Sequence, residues 1–285
     1  MNAYIFPVLN GLGLGMIYFL MAVGLSILFG LLNFVNFAHG AFFLVGAYVC
    51  YQVAALTDSF LVSLLVAPFA VALLGWALNR FLLNRVISMS HSAHILITFG
   101  IMLVLQELVI SAWGPLPRNV RTPEFLQGVL MFGDFVYPRY RLFVLLTSAI
   151  VAIVLYMLIV RTKFGALLRA ASEEAETVSL LGANVRMLYS VAFALGGWLA
   201  GLAGAMAAPL RGVDPAMGMD ALAIAFAVVI VGGLGSFSGA LVGGLFIGLV
   251  QSVMSMLWPE GARLMIYASV AVLLILRPNG LFGRT

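Results

Sequence analysis

The chain has 285 residues, of which 64% are hydrophobic and 8% charged, with 14 Lys+Arg against 10 Asp+Glu. A soluble domain carries about a quarter charged residues, and a soluble chain this long needs more polar surface to cover its core. A water-soluble enzyme or binding module is therefore excluded. So is an outer-membrane barrel, because runs such as Ile224–Val231 and Val270–Leu276 lack period-two alternation. What remains is an all-α polytopic integral membrane protein. Its basic residues are scattered between apolar blocks, which fits loop anchors and not a nucleic-acid footprint. The single cysteine, Cys50, sits in an apolar block, so neither an intrachain disulfide nor a thiolate metal cluster is expected.

A membrane-crossing helix needs about 20 apolar residues, and gaps between Asp, Glu, Lys and Arg locate the spans. Met1 to Thr57 contains none of these, leaving room for two spans with a polar break at Asn33-Phe34-Val35-Asn36-Phe37-Ala38-His39-Gly40. The first block lacks a basic n-region and a cleavage site, so it reads as a retained span. A third span fits Ser59–Asn79, a fourth Ala93–Trp113 with Glu107 inside it, a fifth Leu142–Val160 and a sixth Met187–Ala208. Ala221–Trp258 has room for two passes, broken at Gly232-Gly233-Leu234-Gly235-Ser236-Phe237-Ser238-Gly239. A last span runs from Leu264 to Leu276, short unless Arg263 snorkels.

Basic residues in short loops prefer the cytoplasm. They mark the loop after span three (Arg80, Arg85), the loop 161–186 (Arg161, Lys163, Arg169, Arg186) and the C-terminus (Arg277, Arg284). Placing all three regions on one side requires an even number of crossings between Arg186 and Arg277. Two passes through Ala221–Trp258 satisfy this, giving nine crossings with the N-terminus outside and the C-terminus inside; eight follow if the glycine-rich late helix is re-entrant. The chain reads as one transmembrane domain over 1–285. Segment 114–141 forms an external flap, despite its four arginines, and its prolines and glycines predict an ordered, non-helical fold.

Motifs for chemistry are missing. The one lysine, Lys163, cannot belong to a G-x-x-x-x-G-K-[ST] phosphate loop, and G-x-S-x-G and H-E-x-x-H do not occur. His91 and His94 share a helical spacing but have no carboxylate or cysteine near them in sequence, so they read as the polar start of span four. No catalytic or metal-binding residue is assigned, and the chain is not read as an enzyme. Glu107 is expected to pair with a flap arginine. In the loop 161–186, Ser172 is expected to cap one amphipathic helix with an acidic first turn (Glu173, Glu174, Glu176), an apolar face (Val178, Leu180, Leu181) and a stop at Gly182. That helix is either a solvated loop or a docking element for a soluble partner.

The stretch Asn33–Gly40 with Gly46-Ala47-Tyr48, the opening Leu9-Asn10-Gly11-Leu12 and the late Val231-Gly232-Gly233-Leu234-Gly235-Ser236 resemble the LivH-like permease subunits of branched-chain amino acid ABC importers. The likeness runs over nearly the whole chain. It implies a bacterial inner-membrane permease that moves branched-chain or related small amino acids inward by alternating access. It further implies a second permease chain, two cytoplasmic ATP-binding subunits that hold the ATP and magnesium, and an extracytoplasmic solute-binding protein. This chain itself would carry no cofactor. In ABC importers a cytoplasmic E-A-A…G helix docks into the ATPase. Here Glu173, Glu174, Ala175 and Gly182 occupy that place, with Glu176 replacing the second alanine and the glycine displaced. For the translocation path the candidates are Asn36 and His39, as pore lining or as a helix cap, and Gly232, Gly233 and Gly235, as a gate hinge or a turn. Two further readings are a permease for urea or a short amide and an ion-coupled carrier working alone. Such a carrier would need an ionisable group in mid-span, for which Glu107 is the candidate.

Overall fold

A computed structural model describes residues 5–32, 35–86, 89–132 and 135–283. In chain order these form α1 (Ile5–Leu32), α2 (Ala38–Thr57) and α3 (Phe60–Leu78), the last running through a π-turn at Asn79–Leu83 into α4 (Asn84–Val86). Then come α5 (His91–Trp113), an antiparallel hairpin of β1 (Val129–Phe132) and β2 (Phe135–Pro138), α6 (Arg139–Arg161), α7 (Lys163–Glu173) and α8 (Ala175–Leu180). The chain ends with α9 (Val185–Arg211), α10 (Met217–Gly232), α11 (Phe237–Leu257) and α12 (Ala262–Leu276). Among the described residues eight helices are long and apolar enough to cross a membrane, and α10 is a shorter apolar one. This is an all-α polytopic membrane protein. Arg284 and the Asn33-Phe34 part of the first break lie outside the described residues.

Helices dominate because hydrocarbon offers no hydrogen-bond partner, so each spanning segment satisfies its own backbone. Polar side chains mark where helices begin. Ser59, Ser90 and Ser236 accept from the amides of Val62, Ala93 and Gly239, and Asn184 accepts from Met187, which starts α3, α5, α11 and α9. The α2–α3 turn uses Asp58 in the left-handed region, at φ 51°.

Tertiary contacts divide the helix ends into two groups. At the flap end, the Tyr137 hydroxyl donates to the Leu9 carbonyl, Arg118 and Val213 exchange backbone hydrogen bonds of 2.9 and 2.8 Å, and Arg263 pairs with Asp220 at 3.0 Å. At the opposite end, the amides of Leu281 and Phe282 donate to the carbonyls of Val231 and Gly232, at 2.9 and 3.0 Å. Helix α10 starts at the flap end, beside Arg263, and finishes against this C-terminal segment. Its 16 residues extend about 24 Å, and bends at 212–216 and 233–236 make up the remaining depth. Among the described residues this adds α10 to the eight longer helices as a shorter apolar leg running between the two ends. The last helix gains length from the turn Pro259–Gly261, and Arg263 is an ion-pair partner instead of a snorkelling side chain.

Two sequence expectations are corrected. The loop 161–186 contains two helices, not one. Thr162 caps α7 by accepting from Gly165 at 3.2 Å, the Ser172 hydroxyl lies inside α7 and donates to the Arg169 carbonyl, and the chain turns an elbow at Glu174, which starts α8. The apolar residues Phe164, Leu168 and Ala171 extend the amphipathic pattern upstream of Ser172, and their burial holds α7 in place. Glu107 is exposed on α5 and has no ion-pair partner among the described residues. The flap folds instead toward the α9–α10 loop, and Arg118 donates to the Trp113 carbonyl at 3.0 Å. Among the described residues of the flap, 114–138 is non-helical apart from a single 3-10 turn at Glu124–Leu126, and Arg139–Arg141 already belong to α6.

Helices α1 and α9 are the most enclosed, while α5, α6 and α12 expose large apolar side chains such as Leu96, Leu103, Ile150, Ile153 and Ile275. The centre is held by backbone-to-backbone approach. A Cβ on Gly15 would lie 2.8 Å from the Gly244 carbonyl oxygen, and one on Gly46 would overlap the Gly201 backbone where α2 meets α9. Gly197-x-x-x-Gly201 and Gly244-x-x-x-Gly248 are accordingly packing ridges. Overpacking costs about 1–3 kcal/mol or more where neighbours are rigid. Gly46→Leu is therefore expected to abolish the monodisperse folded protein in detergent. Gly100→Leu, with no atom within 4 Å of a Cβ, should keep a wild-type melting temperature. Gel filtration and thermal melts of both variants check this.

Candidate functional site

The first candidate region is the interruption between α1 and α2. Asn36 is fully buried, and its Oδ1 accepts from the Ala38 amide at 3.1 Å, which tethers the start of α2; its Nδ2 has no partner among the described residues. His39, also fully buried, places Nε2 2.9 Å from the Met21 carbonyl on α1, with Nδ1 unpartnered. Its ring lies against Gly24, where a Cβ would come within 3.0 Å. The Phe37 amide donates to Thr98 on α5 at 3.2 Å, so α2 starts below the end of α5, inside the bundle. Irregular backbone at such depth is tolerated because protein surrounds it.

The late glycines form a tight turn at the end opposite the flap. Gly232 abuts the backbone of Gly239, Gly233 (φ 97°) abuts Gly283, and Gly235 (φ 77°) brings its Cβ position to 3.7 Å from Gly30 at the end of α1. Positive φ at Gly233 and Gly235 makes glycine the residue this turn needs. These three residues therefore join α1, α10, α11 and the C-terminal segment. They lie far along the bundle from the flap, and Asn36 and His39 are not grouped with them.

A cavity of about 150 Å³ opens at the flap end, bounded by α1, α2, α6, α9 and α10. Helix α1 contributes Asn10, Leu14, Ile17, Tyr18 and Met21, residues spaced to share one helical face. Val144, Leu210 and Ile224 add apolar wall. Two arginines belong to the lining, Arg141 near the start of α6 and Arg211 at the end of α9, and none of the lining residues is acidic. Arg141 donates to Asn10 Oδ1 and lies over the Phe6 ring at 5.5 Å, whereas Arg211 lies over the Phe43 ring at 5.4 Å. Asn10 is held further by its amide donating to Ser252 on α11 at 2.9 Å, and the Tyr18 hydroxyl donates to Gln251. Beside the mouth, burial pushes the flap phenol of Tyr137 above its ordinary pKa, with the Arg141 charge opposing. His39 does not line this cavity but grips the carbonyl of Met21, a wall residue.

A second cavity, about 440 Å³, lies at the opposite end between α1, α6, α7 and the start of α11, and includes Ser26, Arg169, Ser172 and Phe237. Here α7 is clamped to α6, with Gly165 against the Ile159 carbonyl and the Arg169 guanidinium donating to the same oxygen. Beyond the elbow Val178 is buried, while Leu180 and Leu181 are each 83% exposed. Glu173, Glu174 and Ala175 form the elbow itself, and Gly182 (φ 88°) ends the helix with open space around its Cβ position.

Sequence reasoning missed Asn10, Tyr18, Arg141 and Arg211. The available signal was the pairing of polar positions 10 and 18 on one face of α1; the arginines at the helix ends carried none.

A family model for the permease component of branched-chain amino acid transport systems matches residues 8–276. The LivH permease of the high-affinity branched-chain amino acid transport system of Salmonella typhimurium is 28% identical over 96% of this chain and 94% of its own length. BraD of Pseudomonas aeruginosa, named as a permease of the same kind, is 26% identical over 99% and 96%. The probable LivH of Methanocaldococcus jannaschii is 29% identical over 90% and 84%. No solved structure matches the chain. With the family's pattern covering all the spanning helices, the chain belongs to the permease components of branched-chain amino acid transport systems.

Proposed function

We propose that this permease is the membrane-spanning subunit of an ATP-binding-cassette importer in a bacterial inner membrane, carrying branched-chain or related small aliphatic amino acids to the cytoplasm. The flap end faces outward, and α7, α8 and the C-terminus lie in the cytoplasm. One observation carries the reading. At the end opposite the flap, an amphipathic pair of helices is clamped to α6 and presents Leu180 and Leu181 to solvent. Exposed paired leucines beside an acidic elbow suit a protein partner. That partner is the ATP-binding subunit, two copies of which supply the energy, since the chain has no phosphate loop of its own. A second permease chain completes the transmembrane unit, and a solute-binding protein delivers substrate at the flap. ATP and magnesium are held by the ATP-binding subunits. Glu107 lies outside both cavities, which disfavours an ion-coupled carrier acting alone.

In this reading substrate moves between the two cavities as the helices around α1 rearrange. His39 ties the inner start of α2 to α1, the Phe37 amide ties it to α5, and Asn36 braces the Ala38 amide, while the turn at Gly232, Gly233 and Gly235 keeps α10 and α11 moving together at the cytoplasmic end.

Three outcomes are expected. With Cys50 replaced by serine, a cysteine at position 174 should resist an impermeant thiol reagent in intact cells and react in inverted vesicles; labelling in intact cells refutes the orientation. Gly182→Val places a β-branched residue at φ 88°, a strain of about 1–3 kcal/mol. The chain should relieve that strain by leaving this conformation, so membrane insertion persists while ATPase docking weakens by up to about 150-fold, read as lost hydrolysis stimulation by loaded binding protein. Asn36→Ala removes the tether at the start of α2 and should lower stability by about 0.5–2 kcal/mol, seen as a lower melting temperature and slower uptake by an assembled complex.

A further inference from the structure

The flap-end cavity combines features that match one kind of ligand. Its deep walls are aliphatic (Leu14, Ile17, Met21, Val144, Ile224), and its arginines sit at helix ends near the mouth. Among the described residues the ion pair is Arg263–Asp220, so neither Arg141 nor Arg211 has a carboxylate partner. A guanidinium has five donors. Arg141 uses donor capacity on Asn10, and the contact that fixes Arg211 is the face of Phe43. Two cations, Arg141 partly buried and Arg211 exposed, line one cavity without a carboxylate beside them, and an arginine fork matches carboxylate geometry.

We propose that Arg141 and Arg211 form a carboxylate-binding subsite, which holds an aliphatic amino acid by its α-carboxylate while its side chain enters the apolar depth. The subsite rests on the importer reading, and it names the point at which the permease itself contacts substrate. Asn10 Oδ1 and the Tyr18 oxygen, a hydroxyl that donates to Gln251 and still accepts, are the acceptors available to the ammonium group. A simple inorganic anion would leave the apolar walls unused, and a neutral amide would leave both arginines without a counter-charge. Asn10 holds the Arg141 guanidinium before ligand arrives, which reduces the ordering required there, and Phe43 supports Arg211 from one side.

The test uses the whole complex in proteoliposomes, with leucine-loaded binding protein outside and ATP inside. Arg211→Gln is the main variant, because Arg141→Gln also loosens Asn10 and can disturb assembly. Leucine uptake per ATP hydrolysed should fall about tenfold, the loss expected for one hydrogen bond to a charged group, while stimulation of hydrolysis by loaded binding protein is retained. Arg211→Lys should recover part of the loss. Loss of stimulation together with uptake would overturn the proposal and make Arg211 part of the binding-protein dock, and unchanged uptake would overturn it outright. If the wild-type complex takes up no leucine with ATP, the importer reading fails separately. The subsite is then judged on purified wild-type protein in detergent. There, millimolar leucine, but not leucinamide, should raise the melting temperature, and Arg211→Gln should show no rise. A rise with leucinamide, or an equal rise in the variant, overturns it.

Discussion

Contact between backbones, made possible by missing Cβ atoms, is what the remaining architecture depends on. Lipid tails are as apolar as leucine, so burying aliphatic surface does not drive helices together inside a bilayer; close packing and hydrogen bonds must do so. Here α1 approaches α11 through Gly11, Gly15, Gly244 and Gly248, and α2 approaches α9 through Gly46 and Gly201. Tight seams on these faces leave α1 free to present a different face, residues 10 to 21, to a cavity. Gly13 on that face adds no side chain to the opening. The glycines thus make both the densest part of the bundle and, by difference, its hollow part.

Charge placement follows from the same solvent. An arginine at the bilayer centre costs about 2.5–3.5 kcal/mol on insertion scales, which pushes cations toward helix ends. Arg211 closes α9 and Arg141 lies in the first turn of α6, where the flap hairpin and water are near. Ring faces and an asparagine oxygen hold them there without neutralising them. Deeper polar groups are neutral and tied to backbone, as with Asn36 on the Ala38 amide, His39 on the Met21 carbonyl and Tyr140 on the Met206 carbonyl at 2.9 Å. The interior therefore holds polar groups that position helices, and the rims hold groups with charge to spare.

Composition and charge spacing were enough to read the spans, because hydrocarbon thickness imposes a length that a sequence displays directly. The apolar block 221–258 does hold two helices, α10 and α11, although the 16 residues of α10 are too few for a span by length alone. What stayed hidden depends on tertiary contact. The elbow at Glu174 arises because α7 buries Leu168 and Ala171 against the membrane helices, a constraint local capping rules do not contain. The hairpin 129–138 had a visible signal, since Gly133-Asp134 separates two apolar runs of β-prone residues, but flap composition masked it. Arg141 and Arg211 read as ordinary loop anchors, because a basic residue at a span end looks the same whether it points outward or in. Their convergence joins positions 10, 43, 141, 211 and 221, from five helices, and nothing local encodes it.

Helix α6 links the two ends physically. Its first turn carries Arg141 at the mouth of one cavity, and its last turns, Tyr156 to Val160, line the other. Its 23 residues extend about 34 Å as one uninterrupted helix, and a sharp break between its ends would leave backbone groups that lipid does not satisfy. At its far end Gly165 meets the Ile159 carbonyl with no room for adjustment, and Arg169 bonds the same oxygen. In the proposed cycle a push on α7 would therefore be felt by α6, which carries Arg141, while Arg211 sits on the end of the glycine-packed α9. A signal between the two proposed sites would then need no chain of intermediate residues, because one helix borders both cavities.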